Sequence, residues 1–365
     1  MSFVRRLPFP PWTVLIPPLA VVLLAITWGH KPPGVVLAIV GVFLAGAVLA
    51  AVHHAEVVAH RVGEPFGSLV LAVAVTVIEV ALIVTLMVSG KDSETATLAR
   101  DTVFAAVMIT CNGIVGLSLL VGTLRTRLAE FNAEGTATAL ATVATLATLT
   151  LVLPTFTTSR PGPEFSGGQL AFAAVASLAL YGLFVFIQTV RHRDYFLPAG
   201  AEADDTEAHV APPTRRTALY ALGFLCVSLV AVVGLAKIES PAIEDAVDAI
   251  GAPPSAVGVV IALLVLLPET LAAVRNAVHD RMQTSFNLAF GSAMASIGLT
   301  IPVIAVASIW LDGPLVLGLG STQTVLLVIT VLVTALTVLP GRATLQEGGV
   351  HMVLFATFLF LAINP

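Results

Sequence analysis

The chain has 365 residues, of which 57% are hydrophobic and only 11% are charged, and its formal net charge is −5. Together with a mean hydropathy of +0.99, this composition excludes a soluble globular domain and predicts an all-α, multi-pass membrane protein. We therefore expect membrane lipid around the spans and no nucleic-acid partner.

Apolar windows of about 20 residues, the length that crosses the hydrocarbon core as a helix, follow one another along nearly the whole chain. The first follows Arg5 and Arg6 but ends without a small-residue cleavage site, so we expect it to be retained as a span. Eleven spans are predicted, at residues 12–30, 33–54, 67–89, 102–124, 136–157, 168–190, 217–237, 255–275, 284–309, 315–339 and 348–364.

Lysine and arginine are distributed unevenly between the two ends of these spans, and short cytoplasmic loops are enriched in both residues. One side holds twelve of the seventeen: Arg5, Arg6, Arg61, Arg125, Arg127, Arg191, Arg193, Arg215, Arg216, Arg275, Arg281 and Arg342. The other side holds Lys31, Lys91, Arg100, Arg160 and Lys237. This asymmetry predicts a cytoplasmic N-terminus and an external C-terminus.

The end of the second span carries a cluster of ionisable side chains, His53, His54, Glu56 and His60. On a helix, Glu56 and His60 lie four residues apart and share a face with His53. Three interpretations remain open: a proton relay or pH sensor, because histidine titrates near neutrality, a metal site, or a solvated helix end at the membrane interface.

Two glutamates lie deep in apolar runs, Glu79 in SLVLAVAVTVIEVALIVTLMVSG and Glu269 in SAVGVVIALLVLLPETLAAV. Insertion scales assign a cost of about 2.5–3.5 kcal/mol to a charge at the centre of a span, so such residues persist mainly where function needs them. We therefore predict that both bind a metal cation and protons.

Oxygen-bearing residues surround these positions in the sequence. Pro268 lacks a backbone donor and should disrupt the helix before Glu269, which frees carbonyl groups as cation ligands. The predicted shell comprises Thr76, Thr270, Asn112 and its neighbour Thr110, Ser292 and Ser296, with Gly113 and Gly291 as close-packing glycines. For each small residue, ordinary helix packing is the alternative.

The sequence also indicates two related halves, because the two glutamates have similar places within their spans. Glu79 is the thirteenth residue of the third span and Glu269 is the fifteenth of the eighth. Five spans per half is an odd number, so spans 2–6 and 7–11 would insert with opposite topology and bring both glutamates near the midplane, where they can share one site. The predicted divisions are an N-terminal span (1–32), a first repeat (33–190), a cytoplasmic linker (191–216) and a second repeat (217–365).

Two acidic stretches lie outside the spans. The linker contains Glu202, Asp204, Asp205 and Glu207, and either connects the halves as solvated chain or attracts cations near a pore mouth. The external loop after the seventh span contains Glu239, Glu244, Asp245 and Asp248, and is either a cation-concentrating vestibule or an exposed connector.

Two passages, HHAEVVAHRVGEPFGSLVLAVAVTVIEVALIVTLM and LLPETLAAVRNAVHDRMQTSFNLAFGSAMASIGLTIP, resemble the two alpha repeats of the calcium/cation antiporter superfamily, and within it the ChaA-type sodium, potassium or calcium/proton antiporters. The resemblance implies a protein of the bacterial inner membrane, in which Glu79 and Glu269 are the central cation- and proton-exchanging carboxylates. Many proton-coupled calcium exchangers of that family carry a Gly-Asn pair shortly before each glutamate. Here Val75-Thr76 and Val265-Leu266 stand in those places, which leaves sodium and potassium as substrates beside calcium.

Coupling follows from chemistry, because desolvation and a like-charged neighbour both favour the protonated form of a carboxylate. Protons and a cation then compete for the same oxygens, and only loaded states cross the hydrocarbon region.

No cofactor is predicted beyond the transported ions. A passive cation channel with a carboxylate filter is the alternative. An intramembrane protease is disfavoured, because the order of Glu56 among the histidines does not match His-Glu-x-x-His.

Overall fold

A computed structural model describes residues 9–30, 32–63, 66–89, 96–197, 213–249, 251–310 and 314–365. The acidic linker residues Glu202, Asp204, Asp205 and Glu207 lie outside these ranges. The α-helices are α1 Pro11–Thr27, α2 Gly34–Val62, α3 Phe66–Ser89, α4 Leu98–Met108, α5 Val115–Thr126, α6 Ala133–Ala147, α7 Leu153–Phe156, α8 Gly167–Phe186, α9 Arg215–Ala249, α10 Ser255–Val265, α11 Leu267–Val278, α12 Met282–Ala307, α13 Ser321–Val338 and α14 Leu345–Ile363.

Three π-helical turns, one 3₁₀ turn and one pair of short strands are further elements of the described structure. The turns are π1 Ile109–Ile114, between α4 and α5, π2 Thr148–Val152, between α6 and α7, and π3 Ile187–Arg191, after α8. A 3₁₀ turn follows at Arg193–Phe196. Strands β1 (Ala129–Glu130) and β2 (Arg342–Ala343) pair antiparallel, a small β element that the all-α prediction did not contain.

Local sequence explains where several helices begin. The Asn132 side chain accepts a hydrogen bond from Gly135 N at 3.0 Å and caps α6. Ser166 with Gln169 and Thr344 with Glu347 form capping boxes that start α8 and α14. Helix α2 ends at Val62 and is followed by Gly63, whose φ of 75° suits glycine.

Eight helices or helix combinations in the described ranges are long and apolar enough to cross a membrane, and the bent pair α10–α11 adds a ninth. Two shorter apolar helices, Pro11–Thr27 and Ala72–Val88, are also present. The helical membrane architecture is therefore confirmed, whereas the count of eleven spans stays a prediction.

The seventh predicted span differs most from its helix. It was expected to end at Lys237, but α9 continues to Ala249 over 35 residues, about 52 Å at about 1.5 Å per residue. Glu239, Glu244 and Asp245 are therefore helical and do not form the predicted loop. The Ser240 hydroxyl donates to Glu244 at 3.1 Å, a local bond that supports this continuation.

The chain forms two compact units, each built from separate stretches of sequence. The first comprises residues 1–91 and 206–250, and α1, α2 and α3 pack with α9 within it. The second comprises residues 92–205 and 251–365. Its central helix is the run Leu98–Thr126, 89% of whose apolar window is buried, against 17% for Leu345–Ile363. The predicted division into two repeats around the linker stays a prediction.

Candidate functional site

Glu79 lies on the buried face of α3 in the first unit, where only 2% of its surface is exposed. Thr76, one turn earlier, is also buried, whereas Val73 and Val77 are 44% exposed on other faces of the helix. Helices α2 and α9 pack against α3. A carboxylate is thus enclosed by packed helices, and a hydroxyl group lies one turn away on the same face of α3. A buried carboxylate of this kind suits a binding site, whereas one that faced lipid would be costly.

Glu269 lies at a break inside an apolar helix pair of the second unit. The axes of α10 and α11 differ by 51°, and Leu266 at the junction has φ −85° and ψ 0°. Pro268 is in the first turn of α11 and cannot donate to the Leu264 carbonyl four residues before it. The predicted helix disruption is therefore confirmed.

The break gives Glu269 a specific electrostatic setting. It lies in the first turn of α11, where the helix dipole favours a negative charge, while the carbonyl end of α10 lies on the other side of the break. Thr270 is only partly buried, and its hydroxyl donates to the Leu266 carbonyl at 2.7 Å. Its oxygen keeps lone pairs for another partner.

Asn112 lies in π1 and is completely buried. Its Nδ2 donates to Thr330 Oγ1 at 2.9 Å, and its Oδ1 lies 3.2 Å from His351 Nδ1. Thr110 donates to the Ala106 carbonyl at 2.8 Å. The carboxamide therefore has defined partners on α13 and α14, and Oδ1 retains one acceptor position.

The serines of α12 show two environments. Ser296 is buried and Ser292, one turn before it, is half-buried.

The two glycines that were predicted to pack closely differ. A Cβ added at Gly113 would lie 3.2 Å from Phe355, so this glycine is closely packed as predicted. Gly291 has no atom within 4 Å of such a Cβ, so the prediction of close packing there is wrong.

The candidates fall into two groups, one in each unit. Thr76 and Glu79 share a face of α3 in the first unit. In the second unit, the segments that carry Asn112, Glu269 and the two serines contact one another, because α11 and α12 both pack against π1. The second-unit candidates therefore lie on segments that pack against one another.

The histidine cluster at the end of α2 separates into buried and exposed members. His53 Nδ1 lies 4.0 Å from Glu56 Oε2, and both side chains are partly exposed, as is His60. No group of three or more His, Cys, Asp or Glu side chains in the described part of the chain is placed to hold a metal ion. This arrangement gives no support to the metal-site interpretation, while the relay and interface interpretations stay predictions.

His54 is completely buried and fastens α1 to α2. Its Nε2 donates to the Thr13 carbonyl at 2.9 Å. Pro17, four residues after Thr13, has no N–H to satisfy that carbonyl within α1. The ring stacks on Phe224 and meets the edge of Phe9, with centroid distances of 5.2 Å in both cases.

We expect His54→Ala to lower the stability of the protein by about 2 kcal/mol, because it removes a buried hydrogen bond and leaves a cavity. The measurement is the thermal unfolding midpoint in detergent, with His60→Ala at an exposed position of the same helix as the matched control. Equal midpoints for the two variants would contradict the fastening role.

Sequence reasoning missed two buried polar residues of the second unit. Asp101 is 3% exposed and its Oδ1 accepts from Arg100 at 2.8 Å and from Gln323 at 3.3 Å. His351 is fully buried in α14. An ionisable residue inside an apolar run was the signal that identified Glu79 and Glu269, and the same signal is present at His351.

Comparison with known proteins decides the family. The sequence profile described as "Sodium/calcium exchanger protein" matches residues 33–190 and 220–364. The chain belongs to the sodium/calcium exchanger family. The match begins at the second predicted span and includes every candidate cation ligand, so the resemblance noted in the sequence is confirmed.

Relatives of this exchanger are transporters and not enzymes. The chain is 45% identical to the putative ionic transporter y4hA of Sinorhizobium fredii over 99% of its length and 98% of that protein. It is 34% identical to the sodium-potassium/proton antiporter ChaA of Escherichia coli, over 95% of its length and 94% of the relative. The protein is accordingly an antiporter-family, multi-pass protein of the inner membrane.

Solved structures agree on the fold. Native YfkE superposes with a TM-score of 0.72 at 16% identity, over 97% of this chain and 99% of that one. The H+/Ca2+ exchanger CAX gives a TM-score of 0.68 at 16% identity, over 95% of this chain and 86% of that one. The exchanger therefore shares the fold of membrane cation exchangers.

Proposed function

We propose that this exchanger is a secondary antiporter that moves a metal cation against protons, which compete for Glu79 and Glu269. The observation that carries the proposal is the break at Leu266. It interrupts an apolar helix pair immediately before Glu269, the one carboxylate between Ser255 and Val278. Irregular backbone at membrane depth is tolerated where it lines a protein cavity or a hydrated site.

The two half-helices supply complementary chemistry. The carbonyl end of α10, with the Leu264 oxygen freed by Pro268, offers ligands to a cation. The first turn of α11 supports the carboxylate of Glu269 when it is ionised. Thr270, Asn112, Ser292 and Ser296 would complete the shell in this unit, and Thr76 would accompany Glu79 in the other.

Coupling arises because the same carboxylate oxygens bind either a proton or the cation. With protons bound, the glutamates are neutral, and with a cation bound their charge is balanced. The empty, charged state is costly to move through the hydrocarbon region, so only loaded states would change sides. Alternating access of this kind is typical of inverted-repeat transporters.

We propose sodium or potassium as the substrate, with calcium as the alternative. The relative at 34% identity is named for sodium and potassium, whereas a relative in Aphanothece halophytica at 24% identity over 84% of the chain is named a Ca(2+)/H(+) antiporter. The absence of an asparagine oxygen at Val75-Thr76 and Val265-Leu266 favours the monovalent ions.

Uphill transport separates this function from a passive channel. Purified protein in liposomes, with an imposed pH gradient and equal sodium on both sides, should accumulate sodium in the compartment from which protons leave. A channel could only dissipate the gradient of its own ion. No accumulation of sodium, potassium or calcium under any gradient would contradict the antiporter.

We also propose the inverted topology of eleven spans. In the described ranges, the eight long spans, the bent pair and the two shorter apolar helices match that number. An odd count would place the two termini on opposite sides of the membrane, and the lysine and arginine asymmetry would put the N-terminus in the cytoplasm and the C-terminus outside. A reporter enzyme that works only outside the cytoplasm should therefore be active when it is fused after Pro365. Activity of a fused reporter that works only inside the cytoplasm would overturn the count.

A further inference from the structure

A series of four buried, hydrogen-bonded side chains connects three segments of the second unit. It runs from Thr330 on α13 to Asn112 on π1, then to His351 on α14, and returns to α13 at Thr337. The joining distances are 2.9 Å from Asn112 Nδ2 to Thr330 Oγ1, 3.2 Å from Asn112 Oδ1 to His351 Nδ1, and 3.0 Å from His351 Nε2 to Thr337 Oγ1. All four residues are at most 2% exposed, so water does not replace these bonds.

The hydrogen bonds have one consistent direction. Because Asn112 donates its amide hydrogen to Thr330, its Oδ1 faces His351 and must receive a hydrogen bond from Nδ1–H. Nε2 is then an acceptor, and the Thr337 hydroxyl donates to it. Thr337 Oγ1 also donates to the Val333 carbonyl at 3.0 Å, so its single hydrogen is shared between that carbonyl and Nε2.

Close packing of the helices brings His351 to this position. A Cβ at Gly116 would lie 2.9 Å from His351 Cβ, and one at Gly348 would lie 3.0 Å from Leu120 N. The backbones of α5 and α14 therefore approach at glycines on both sides. The imidazole can reach the carboxamide of Asn112 only because neither glycine has a side chain.

The location of this network relates it to the candidate cation ligands. Helix α11, which carries Glu269 in its first turn, packs against π1. A π-helical turn is irregular and leaves backbone groups without their α-helical partners, so side-chain bonds help determine its conformation. The bond from His351 holds the one polar side chain of π1 that reaches both α13 and α14.

We propose that His351 is a positioning residue of the exchanger: by donating Nδ1–H to Asn112 Oδ1 it fixes the asparagine carboxamide and the π1 turn beside the helix of Glu269. This inference rests on the proposed function, in which the second acceptor position of Asn112 Oδ1 serves the cation. Its consequence is a specific effect on cation affinity. The maximal exchange rate depends on the glutamates and should change little.

Two isosteric substitutions test which ring nitrogen matters. His351→Asn places an amide donor near the position of Nδ1, whereas His351→Gln places one near Nε2. We expect His351→Gln and His351→Ala to raise the half-saturating cation concentration about tenfold, the usual worth of one buried hydrogen bond, and His351→Asn to remain within about threefold of wild type. His192→Asn, at an exposed histidine, is the control and should match wild type.

A double-mutant cycle with Asn112→Ala completes the test. If His351 acts through Asn112, His351→Gln adds no further loss of affinity in the Asn112→Ala background. Additive losses, or equal losses for the Asn and Gln variants in a working exchanger, would overturn this inference alone. A wild-type protein that exchanges no cation for protons would instead refute the proposed function on which the inference rests.

Discussion

Replacing either glutamate with glutamine should abolish exchange and leave the protein in the membrane. Glutamine preserves the size of Glu79 or Glu269 and resembles the protonated acid in its hydrogen bonding, but it can neither carry the negative charge nor exchange a proton. Glu79 is buried and Glu269 is partly buried. Removing one partner of a desolvated charge pair costs about 3 kcal/mol, so cation affinity should fall about 100-fold or more. The measurement is cation-driven proton flux in liposomes that contain equal amounts of each variant.

Glu130→Gln is the matched control, because Glu130 is exposed on β1 and lies outside the candidate group. It should retain wild-type flux. Each glutamate variant should also elute as wild type does in size-exclusion chromatography, since a neutral side chain lowers the cost of burial. Retained exchange in either Glu79→Gln or Glu269→Gln would refute the assignment of that carboxylate.

Closing the helix break should weaken cation binding without weakening the fold. In Pro268→Ala, residue 268 regains an N–H that can bond to the Leu264 carbonyl and extend α10 into α11. That carbonyl is then no longer available to a cation. We expect the half-saturating cation concentration to rise about tenfold, which corresponds to one lost ligand of about 1.4 kcal/mol, while the unfolding midpoint stays equal or rises.

Pro302→Ala provides the control for this variant, because Pro302 also lies within a helix of the second unit, α12, but outside the candidate group. Both substitutions remove a proline from an apolar helix, so they share any general effect on helix stability. If the two variants bind the cation equally well, the freed carbonyl at the break is not a ligand.

Much of the fold could be predicted from the sequence, because the hydrophobic effect of the bilayer imposes its own pattern. Apolar length identifies spans such as residues 168–190, whose helix is Gly167–Phe186 followed by π3. The break near Pro268 was equally predictable, since proline lacks the donor that a continuous helix needs. Both are local properties of the chain.

Other features depend on packing and could not be predicted in this way. The acidic residues after Lys237 predicted a loop, yet α9 continues through them. Helix α2 packs close to this continuation, since a Cβ added at Gly41 would lie 3.6 Å from Glu239 Oε1. The partners of Asn112 are also distant in the sequence. Thr330 and His351, to which it is hydrogen-bonded, each lie more than 200 positions after it. No periodicity in the sequence indicates them.

Within the candidate site, the position of each glutamate in an apolar run and the helix break could be predicted, whereas the packing partners of the polar side chains could not. Glu79 and Glu269 are conspicuous in apolar runs, and the burial of Glu79 agrees with that expectation. His54 was grouped with His53, Glu56 and His60 by sequence spacing, but its burial against Phe224 and its bond to Thr13 distinguish it from the others. Spacing along one helix does not reveal which neighbours pack against it.

Proton release on cation binding tests the central claim most directly. Purified exchanger in weakly buffered detergent solution is titrated with sodium, potassium or calcium while the pH is recorded. Competition at Glu79 and Glu269 predicts that cation binding releases protons from the wild type, and that the release saturates with the bound cation and is reduced in each single glutamine variant. Cation binding with no proton release, or the same release from the Glu79→Gln/Glu269→Gln double variant, would contradict the account.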